Sequence, residues 1–290
     1  MQPNKICRIT LVFALLWSFG IISAADEQCV FNHRPFAAGE LSNQTVRCDL
    51  NLEMAIRQGE KTIDSSSQEV RRDQQRQIKI VEMGAKAPTK AIVTYKTSAV
   101  SVKQANADPM KSSQPVSGKS YQVTRIGDEL SITTLDGKAP PANELALLKA
   151  NLEAFGLPNP IATFFDGKTM HIGETVDLPI ELAKELLGFQ DGVGNVSSLK
   201  MKLSKLLNTK SGRLAVFDTQ LVAKQNKDGV NITLQGQLAI EIDSCRTAVV
   251  NLSGPVSVDE VRGPKNGQFE VTSRGELKVA VRATYQTSKR

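Results

Sequence analysis

The sequence predicts an α+β fold that is mostly β: a long, curved antiparallel meander, a half-barrel or open barrel, with one or two short helices packed on it. Apolar and polar residues alternate over long runs in the C-terminal half, which is typical of strands with one buried and one wet face. Turn-forming clusters separate these runs, and two stretches with helical spacing of apolar residues interrupt them. We expect a single β-rich domain over residues 26–290.

The N-terminus is expected to be a secretory signal peptide over residues 1–25. Lys5 and Arg8 precede a run of apolar residues. Small residues follow this run and suit cleavage near Ala24 or Ala25. The apolar run is shorter than the roughly 20 residues that a transmembrane helix needs. We therefore predict an exported protein, periplasmic or extracellular, whose mature chain has no transmembrane span.

The N-terminal half of the mature chain alternates less regularly. Strands are predicted at Val46–Ile56, Ile78–Met83, Ala91–Val102, Tyr121–Arg125 and Leu130–Thr134, the last two as a hairpin. The stretch before Ile78 is polar and carries no strand signal of its own. Lys103–Gly118 is a polar loop of turn-forming residues, long enough to be either a mobile flap or a disordered segment.

Two stretches predict short helices. Asn143–Phe155 places its leucines on one face and stops at Gly156. Pro179–Leu187 has a proline in its first turn and ends at a glycine. A short β stretch, Lys168–Val176, is expected between the two helices.

The C-terminal half contains the clearest strands, each with one apolar and one polar row. They are predicted at Leu199–Ser204, Arg213–Lys224, Val230–Asp243, Ala248–Val258 and Phe269–Tyr285. Asp228–Gly229 is a strong hairpin signal, and Gly263–Gly267 is a turn cluster. Because such connections are short, the strands should be antiparallel neighbours.

Gly236, Gly254 and Gly275 fall on the apolar rows of three successive strands. A three-residue loop at 244–246 would place Gly236 opposite Gly254. A turn centred on 264–265 would place Gly254 opposite Gly275, so that one row of glycine crosses three strands. Such a row favours a crease that curls the sheet. The alternative is a groove floored by bare backbone, where a ligand or a crossing helix approaches closely.

A curved sheet of this kind has room on its concave face for a lipid or another apolar or amphipathic ligand. The candidates to line such a site are Val230, Ile232, Gly236, Leu238, Gly254, Gly275, Leu277 and Val279. The first functional hypothesis is therefore an exported, non-enzymatic binding or carrier protein. The second is a structural or interaction protein of the cell envelope.

Motifs for catalysis are missing from the sequence. His33 and His171 are the only histidines, and there is no nucleophile, phosphate-binding or dinucleotide-binding motif. We predict that the protein is not an enzyme and has no catalytic residue, cofactor or metal. A hydrolase that pairs carboxylates such as Asp166 and Glu174 is the third hypothesis.

Three cysteines remain after the predicted cleavage: Cys29, Cys48 and Cys245. Export permits a disulfide, and an odd count leaves one thiol over. Cys29 with Cys48 is the local pairing, but the sequence leaves the choice open.

A basic stretch without acidic residues comprises Lys200, Lys202, Lys205, Lys210 and Arg213. A solvated strand face accounts for it, and an anionic component of the envelope is the alternative partner. No aromatic residues interleave with the basic ones, so nucleic acid is not an expected partner. The net charge of +6 adds a general attraction to anionic surfaces.

Four stretches have the character of family motifs: "PVSGKSYQVTRIGDELSITTLDGKAPP", "FGLPNP", "KTMHIGETVDLP" and "GQLAIEIDSCRTAVVNLSGPV". Together they resemble a group of exported, β-rich bacterial proteins to which no activity is assigned. The resemblance implies secretion and a β-rich fold, and it carries over no functional residue. The predicted shape is similar to that of bacterial lipoprotein carriers and other half-barrels that enclose apolar ligands.

Overall fold

The computed structural model describes residues 27–105, 107–187, 195–225, 229–262 and 268–286. The predicted signal peptide, Asp228 and the turn cluster at 263–267 lie outside these ranges. The predicted fold class is confirmed, because one large antiparallel sheet forms a curved meander with a few short helices and is not closed into a barrel.

The strands in chain order are β1 (Gln28–Val30), β2 (Leu41–Gln58), β3 (Lys61–Met83), β4 (Pro88–Gln104), β5 (Met110–Ser113), β6 (Ser120–Ile126), β7 (Glu129–Thr134), β8 (Thr169–His171), β9 (Thr175–Asp177), β10 (Asn195–Thr209), β11 (Gly212–Gln225), β12 (Val230–Glu241), β13 (Arg246–Arg262) and β14 (Phe269–Gln286). The described helices are α1 (Ala142–Leu152), α2 (Pro160–Phe165) and α3 (Ile180–Leu187).

Twelve strands form the main sheet in the order β7-β6-β4-β3-β2-β14-β13-β12-β11-β10-β9, with β5 pairing off this path onto β4. β1 and β8 form a separate two-stranded ribbon. Because β14 returns to pair with β2, the beginning and end of the domain meet at the centre of the sheet. The helices lie toward the two flanks, with α1 near β7 and with α2 and α3 near β13 and β10.

Both predicted helices are present, α1 at Ala142–Leu152 and α3 at Ile180–Leu187. The sequence analysis missed α2, although its start signal is in the chain. Asn159 caps α2, accepting a hydrogen bond from the Ile161 backbone N–H at 3.0 Å, and Pro160 occupies the first turn.

β3 differs most from the prediction, because it begins at Lys61 rather than at Ile78 and extends for 23 residues. Its polar half pairs along its length with β2 and β4, so backbone pairing overrides a weak local signal. The predicted polar loop at 103–118 also contains a strand, β5. The side chain of Val116, which follows β5 in this loop, is fully buried. The flexibility of this segment stays a prediction.

The predicted row of glycines is wrong by two residues at each step. Gly236 pairs with Leu252, and Gly254 pairs with Leu277. Gly275 pairs with Val256 on one side and with Leu52 on the other. The glycines therefore step diagonally across the sheet, each beside a larger apolar residue.

The error between β12 and β13 has a definite cause. Glu241 pairs with Arg246, which leaves a four-residue turn instead of three, and a β-bulge follows between Ala239 and Ile240. An even turn alone would put the apolar row of one strand against the polar row of the other. The extra residue of the bulge brings the two apolar rows opposite each other again, but with Gly236 beside Leu252 instead of Gly254.

At each of these glycines the backbone of a neighbouring strand takes the place of a side chain. A Cβ on Gly236 would lie 2.0 Å from the Asn251 carbonyl oxygen, and one on Gly275 would lie 1.8 Å from that of Asn51. Gly236 also has a φ of +153°, which favours glycine. Close approach of strand backbones accounts for the glycine at both positions.

Two hydrophobic clusters lie on the same face of the sheet, which we call the inner face. The first joins the inner rows of β10–β13 to α2, α3 and the β1–β8 ribbon, and includes the ring cluster of Phe31, Phe165 and Phe217. The second joins β4, β6 and β7 to α1, with Tyr95 and Leu148 fully buried. Between them lie β14, β2 and β3.

Candidate functional site

The candidate site is the inner face of the sheet between the two clusters, which we call the central trough. Its apolar floor is formed by half-buried side chains on the inner rows of β2 and β14. These residues are Val46, Cys48, Leu50, Leu52, Met54, Ile56, Val271, Leu277, Val279 and Val281. The registers place the two rows side by side, for example Leu50 beside Leu277. By contrast, residues of the first cluster are at most 8% exposed. Leu50 and Leu277 nevertheless pack against the first cluster. The floor is therefore an apolar strip with partial cover.

β3 forms a polar flank along one side of this floor. Apart from Val70, the inner row here is polar, with Gln68, Arg72, Gln74 and Arg76, and it alternates with outward-facing polar and charged residues. Gln74 is 4% exposed and donates to the Ser98 hydroxyl at 3.1 Å. A sheet row with a dry protein core over it is normally apolar. The central trough therefore combines an apolar floor with a hydrogen-bonding wall.

The two arginines of the flank reach the end of α1. Arg72 Nη2 donates to Asn151 Oδ1 at 2.6 Å, and Arg76 Nη1 donates to the Asn151 carbonyl oxygen at 2.9 Å. Arg76 Nε also donates to Gln44 Oε1 at 2.8 Å. These bonds fix both guanidinium groups at the boundary between the trough and the second cluster.

A cleft of about 310 Å³, which we call the end cleft, opens at the same end of the trough. Ser42, Gln44 and Ile78 line it from the inner face of the sheet, and the segment 154–160 between α1 and α2 lines it from the other side. Its volume is at the lower end of the range for small-molecule sites, roughly 300–1,000 Å³. Gln44 links the end cleft to Arg76, so cleft and flank share a polar boundary.

A buried ion pair holds the outer wall of the end cleft. Arg246 and Glu40 are each 2% exposed, and Arg246 Nη2 donates to Glu40 Oε2 at 3.2 Å. The same guanidinium donates to the Pro35 carbonyl oxygen at 3.2 Å and lies 3.9 Å from the ring centroid of Phe36. Burial raises the pKa of the neighbouring Tyr285, which donates to the Thr247 carbonyl oxygen at 3.0 Å. These contacts anchor the segment before β2 onto β13.

The residues predicted to line a ligand occupy two different environments. Ile232 and Leu238 are buried within the first cluster, at 2% and 3% exposure. Leu277 and Val279 lie in the floor of the central trough. Val230 is half-buried against the first cluster, and Gly236, Gly254 and Gly275 are half-buried on β12, β13 and β14. Their role in binding a ligand stays a prediction, and Arg72 and Arg76 are residues that the sequence analysis missed.

Cys29, Cys48 and Cys245 are free thiols in the structure. Cys29 and Cys245 are buried in the first cluster, and burial raises the pKa of Cys245 to about 11. Cys48 lies in the floor of the trough, opposite Arg72 and Val279, and burial raises its pKa as well. A disulfide between any two of them stays a prediction.

The two carboxylates considered for hydrolysis each bind the backbone. Asp166 Oδ1 accepts from the His33 backbone N–H at 2.8 Å, and Glu174 Oε2 accepts from the His171 backbone N–H at 3.0 Å. Both bonds hold local loop structure near the β1–β8 ribbon.

The basic stretch is exposed. Lys200, Lys202 and Lys205 project from β10, Lys210 lies in the turn that follows, and Arg213 is on β11. Lys200 Nζ lies 4.0 Å from Asp177 Oδ1, which is the limit of an ion pair. An anionic partner for this face stays a prediction.

No helix in the described ranges is both long and apolar enough to cross a membrane. No protein-family model matches the sequence, and comparison with curated proteins gives no match.

Solved structures give distant likenesses. Lipovitellin, in a structure concerned with lipid–protein interactions, is 11% identical with a TM-score of 0.40, over 88% of this chain. The matched region is only 26% of the lipovitellin chain. The type II secretin XcpQ from Pseudomonas aeruginosa is 9% identical with a TM-score of 0.18, over 85% of this chain and 58% of the secretin. The outer membrane protein OprG from Pseudomonas aeruginosa is 8% identical with a TM-score of 0.17, over 89% of this chain and 100% of OprG. Likenesses of this extent say nothing about what this chain binds.

Proposed function

We propose that this protein is an exported, non-enzymatic binding or carrier protein that holds an apolar or amphipathic ligand in the central trough. The observation that carries the proposal is the incomplete burial of the trough floor between two fully buried clusters on the same face. Covering apolar surface contributes about 25 cal/mol per Å². A ligand that covers the floor would therefore gain this free energy without any rearrangement of the sheet.

The dimensions of the floor suit a hydrocarbon chain. From Cys48 to Ile56 the inner row of β2 advances eight residues, which is about 26 Å at about 3.3 Å per residue. The hydrocarbon core of a bilayer is roughly 30 Å thick for two opposed chains. One acyl chain is about half that length, and the floor can accommodate it fully extended.

Mass spectrometry of the protein purified from its own host tests the proposal directly. Extraction with organic solvent is expected to release an apolar or amphipathic molecule in near-stoichiometric amount. A protein that carries no such molecule, and that takes up none when incubated with a lipid extract, would overturn the proposal.

Cys48 supplies a second test because its thiol lies in the floor. Alkylation of the native protein at alkaline pH, followed by peptide mapping, should modify Cys48 and spare the buried Cys29 and Cys245. A bound ligand should slow the modification of Cys48 several-fold. Equal rates with and without the extracted molecule would place the ligand outside the trough.

A second candidate function is a structural or interaction protein of the envelope. Exposed apolar side chains at one end of the sheet favour it: Ile63 is 49%, Val261 61% and Phe269 37% exposed. The three belong to strands that are close in the sheet order, β3, β13 and β14. Cross-linking in intact cells that recovers only the monomer would count against this function.

A further inference from the structure

We infer that the ligand is a lipid with an anionic headgroup, and that Arg72 and Arg76 on the polar flank bind that headgroup. This inference rests on the proposed function and specifies the chemical class of the ligand. It depends on the charge, the hydrogen bonds and the position of these two arginines.

The two guanidinium groups have no counter-charge in the part of the chain that the structure describes. Their bonds go to neutral acceptors, the side chain and backbone of Asn151 and the side chain of Gln44. Some arginines elsewhere in the sheet are paired with carboxylates, as Arg71 is with Asp49 at 2.6 Å and Arg274 with Asp259 at 2.6 Å. Arg125 on β6 resembles Arg72 and Arg76, because it donates to the carbonyl oxygen of Asp128. Two half-buried positive charges without a carboxylate create a local preference for an anion.

Unpaired polar atoms lie beside the arginines. Asn151 Nδ2 is buried without a hydrogen-bond partner, while the oxygen of the same amide binds Arg72. The hydroxyl of Tyr95, the cross-strand partner of Arg76, is also buried without a partner. Buried donors that lack an acceptor are costly. The residue that both arginines contact therefore carries an unsatisfied donor of its own.

The apolar floor begins directly beside this cationic position. Arg72 pairs with Cys48, and the next inner pair along the two strands is Leu50 with Val70. From there the row on β2 stays apolar to Ile56. A headgroup bound at Arg72 and Arg76 would therefore direct its chain along the floor, with the charge at one end and the apolar surface at the other.

A ligand series with one chain and three headgroups tests the inference. Binding of oleate, oleyl phosphate and oleyl alcohol is measured by calorimetry with the full mature protein. Wild-type protein should bind the two anions at least about tenfold more tightly than the alcohol, because hydrogen bonds to a charged group are stronger than those to a neutral one. A preference for the phosphate over oleate would identify the headgroup further. The anion preference should shrink as salt is raised.

The variant Arg72→Gln/Arg76→Gln should lower anion affinity to the level of the alcohol and leave alcohol binding unchanged. Arg71→Gln is the matched control, because Arg71 precedes Arg72 in sequence but projects from the opposite face. An anion preference that survives in the double variant would overturn the inference. So would equal wild-type affinity for all three ligands, and that result would leave the proposed function standing. Failure of the wild type to bind any of the three would remove the proposed function itself.

Arg72 and Arg76 also hold the end of α1, so the double variant needs a folding control by circular dichroism. If it does not fold, Arg72→Lys decides the question, since lysine keeps the charge and loses the planar fork. Several-fold weaker binding of the anions with unchanged binding of the alcohol is the expected result. Unchanged binding of all three would count against a headgroup site.

Discussion

The covered flank of the sheet and its uncovered centre have the same sequence pattern and different burial. On β12, in the flank, the apolar row includes Leu234 and Leu238, at 2% and 3% exposure. On β2, in the centre, the apolar row from Val46 to Ile56 is half-buried throughout. Alternation along a strand therefore shows which face turns away from water. It does not show whether protein or something else covers that face.

The inner rows beside these strands sharpen the contrast. In the flank, β11 continues the apolar surface with Phe217, Leu221 and Ala223, all fully buried. In the centre, β3 continues it with Arg72, Gln74 and Arg76. Burying such groups in a dry core costs free energy unless each finds a partner. The centre is built for a partly polar environment, which is what an amphipathic ligand or water provides.

Removal of the ion pair beside the end cleft should have the largest effect on stability. Arg246→Ala leaves Glu40, at 2% exposure, with a long ion pair to Arg34 at 3.8 Å and a hydrogen bond from the Ala37 backbone N–H at 3.0 Å. We expect a loss of about 3–5 kcal/mol in the free energy of unfolding, measured by urea denaturation. Arg262→Ala, which breaks an exposed pair with Glu260, should leave the free energy of unfolding almost unchanged. Similar losses for the two would contradict a buried pair.

A matched pair of leucine substitutions tests the comparison itself. Leu221→Ala removes a fully buried side chain from the flank and should cost about 2–5 kcal/mol. Leu50→Ala removes a half-buried side chain from the trough floor, and we expect a loss below about 2 kcal/mol. Denaturant midpoints of the ligand-free protein give both values. Equal losses would mean that the centre is as well covered as the flank.

Gly236→Ala should also destabilise the protein, with a local cause. The backbone at φ +153° is strained for alanine by about 1–3 kcal/mol, and the new methyl group would meet the Asn251 carbonyl oxygen. Gly137→Ala is the control, since its φ is also positive, at +82°, but nothing lies within 4 Å. A greater loss at Gly236 in thermal unfolding isolates the close approach of β13.

The smallest expected effect is a pH dependence at α1. Hydrogen bonds from Lys119 at 2.5 Å and from Tyr121 at 2.6 Å lower the pKa of Glu144 below its usual 4.5. A lowered folded-state pKa contributes stability above the unfolded-state pKa, and that stability is lost as pH falls through the folded value. Unfolding curves from neutral pH to acid should show this loss.

Glu144→Gln keeps the shape of the side chain and should remove this part of the acid dependence. Its stability should differ most from that of the wild type near neutral pH and least in acid. An identical pH dependence in both proteins would show that Glu144 does not contribute.

Much of the fold could be predicted where local signals and pairing agree. Strands β11 to β14 and helices α1 and α3 follow from alternation, spacing and turn residues. The polar half of β3 could not be predicted, because serine, glutamine and arginine on both faces carry no period-two signal. Its strand conformation comes from the backbones of β2 and β4 on either side.

The candidate site was predictable only in part. Leu277 and Val279 were correctly placed on the inner apolar row, but their half-buried state depends on where the helices pack. Arg72 and Arg76 gave no signal of a site, since they stand in a run of charged residues that looks like a solvated segment. Their shared contact with Asn151 joins residues more than 70 positions apart in the chain.

The sequence by itself determined the fold class and the faces of the C-terminal strands, because both depend on residue type and local spacing. Only the tertiary structure decided the diagonal of glycines, which depends on the turn and bulge between β12 and β13 and on the register of β13 with β14. It also decided which strands the helices cover. The helices that cover a strand are distant from it in sequence, so the sequence of the strand does not show whether it is covered. This packing distinguishes the filled core of the flanks from the apolar floor and polar flank of the central trough.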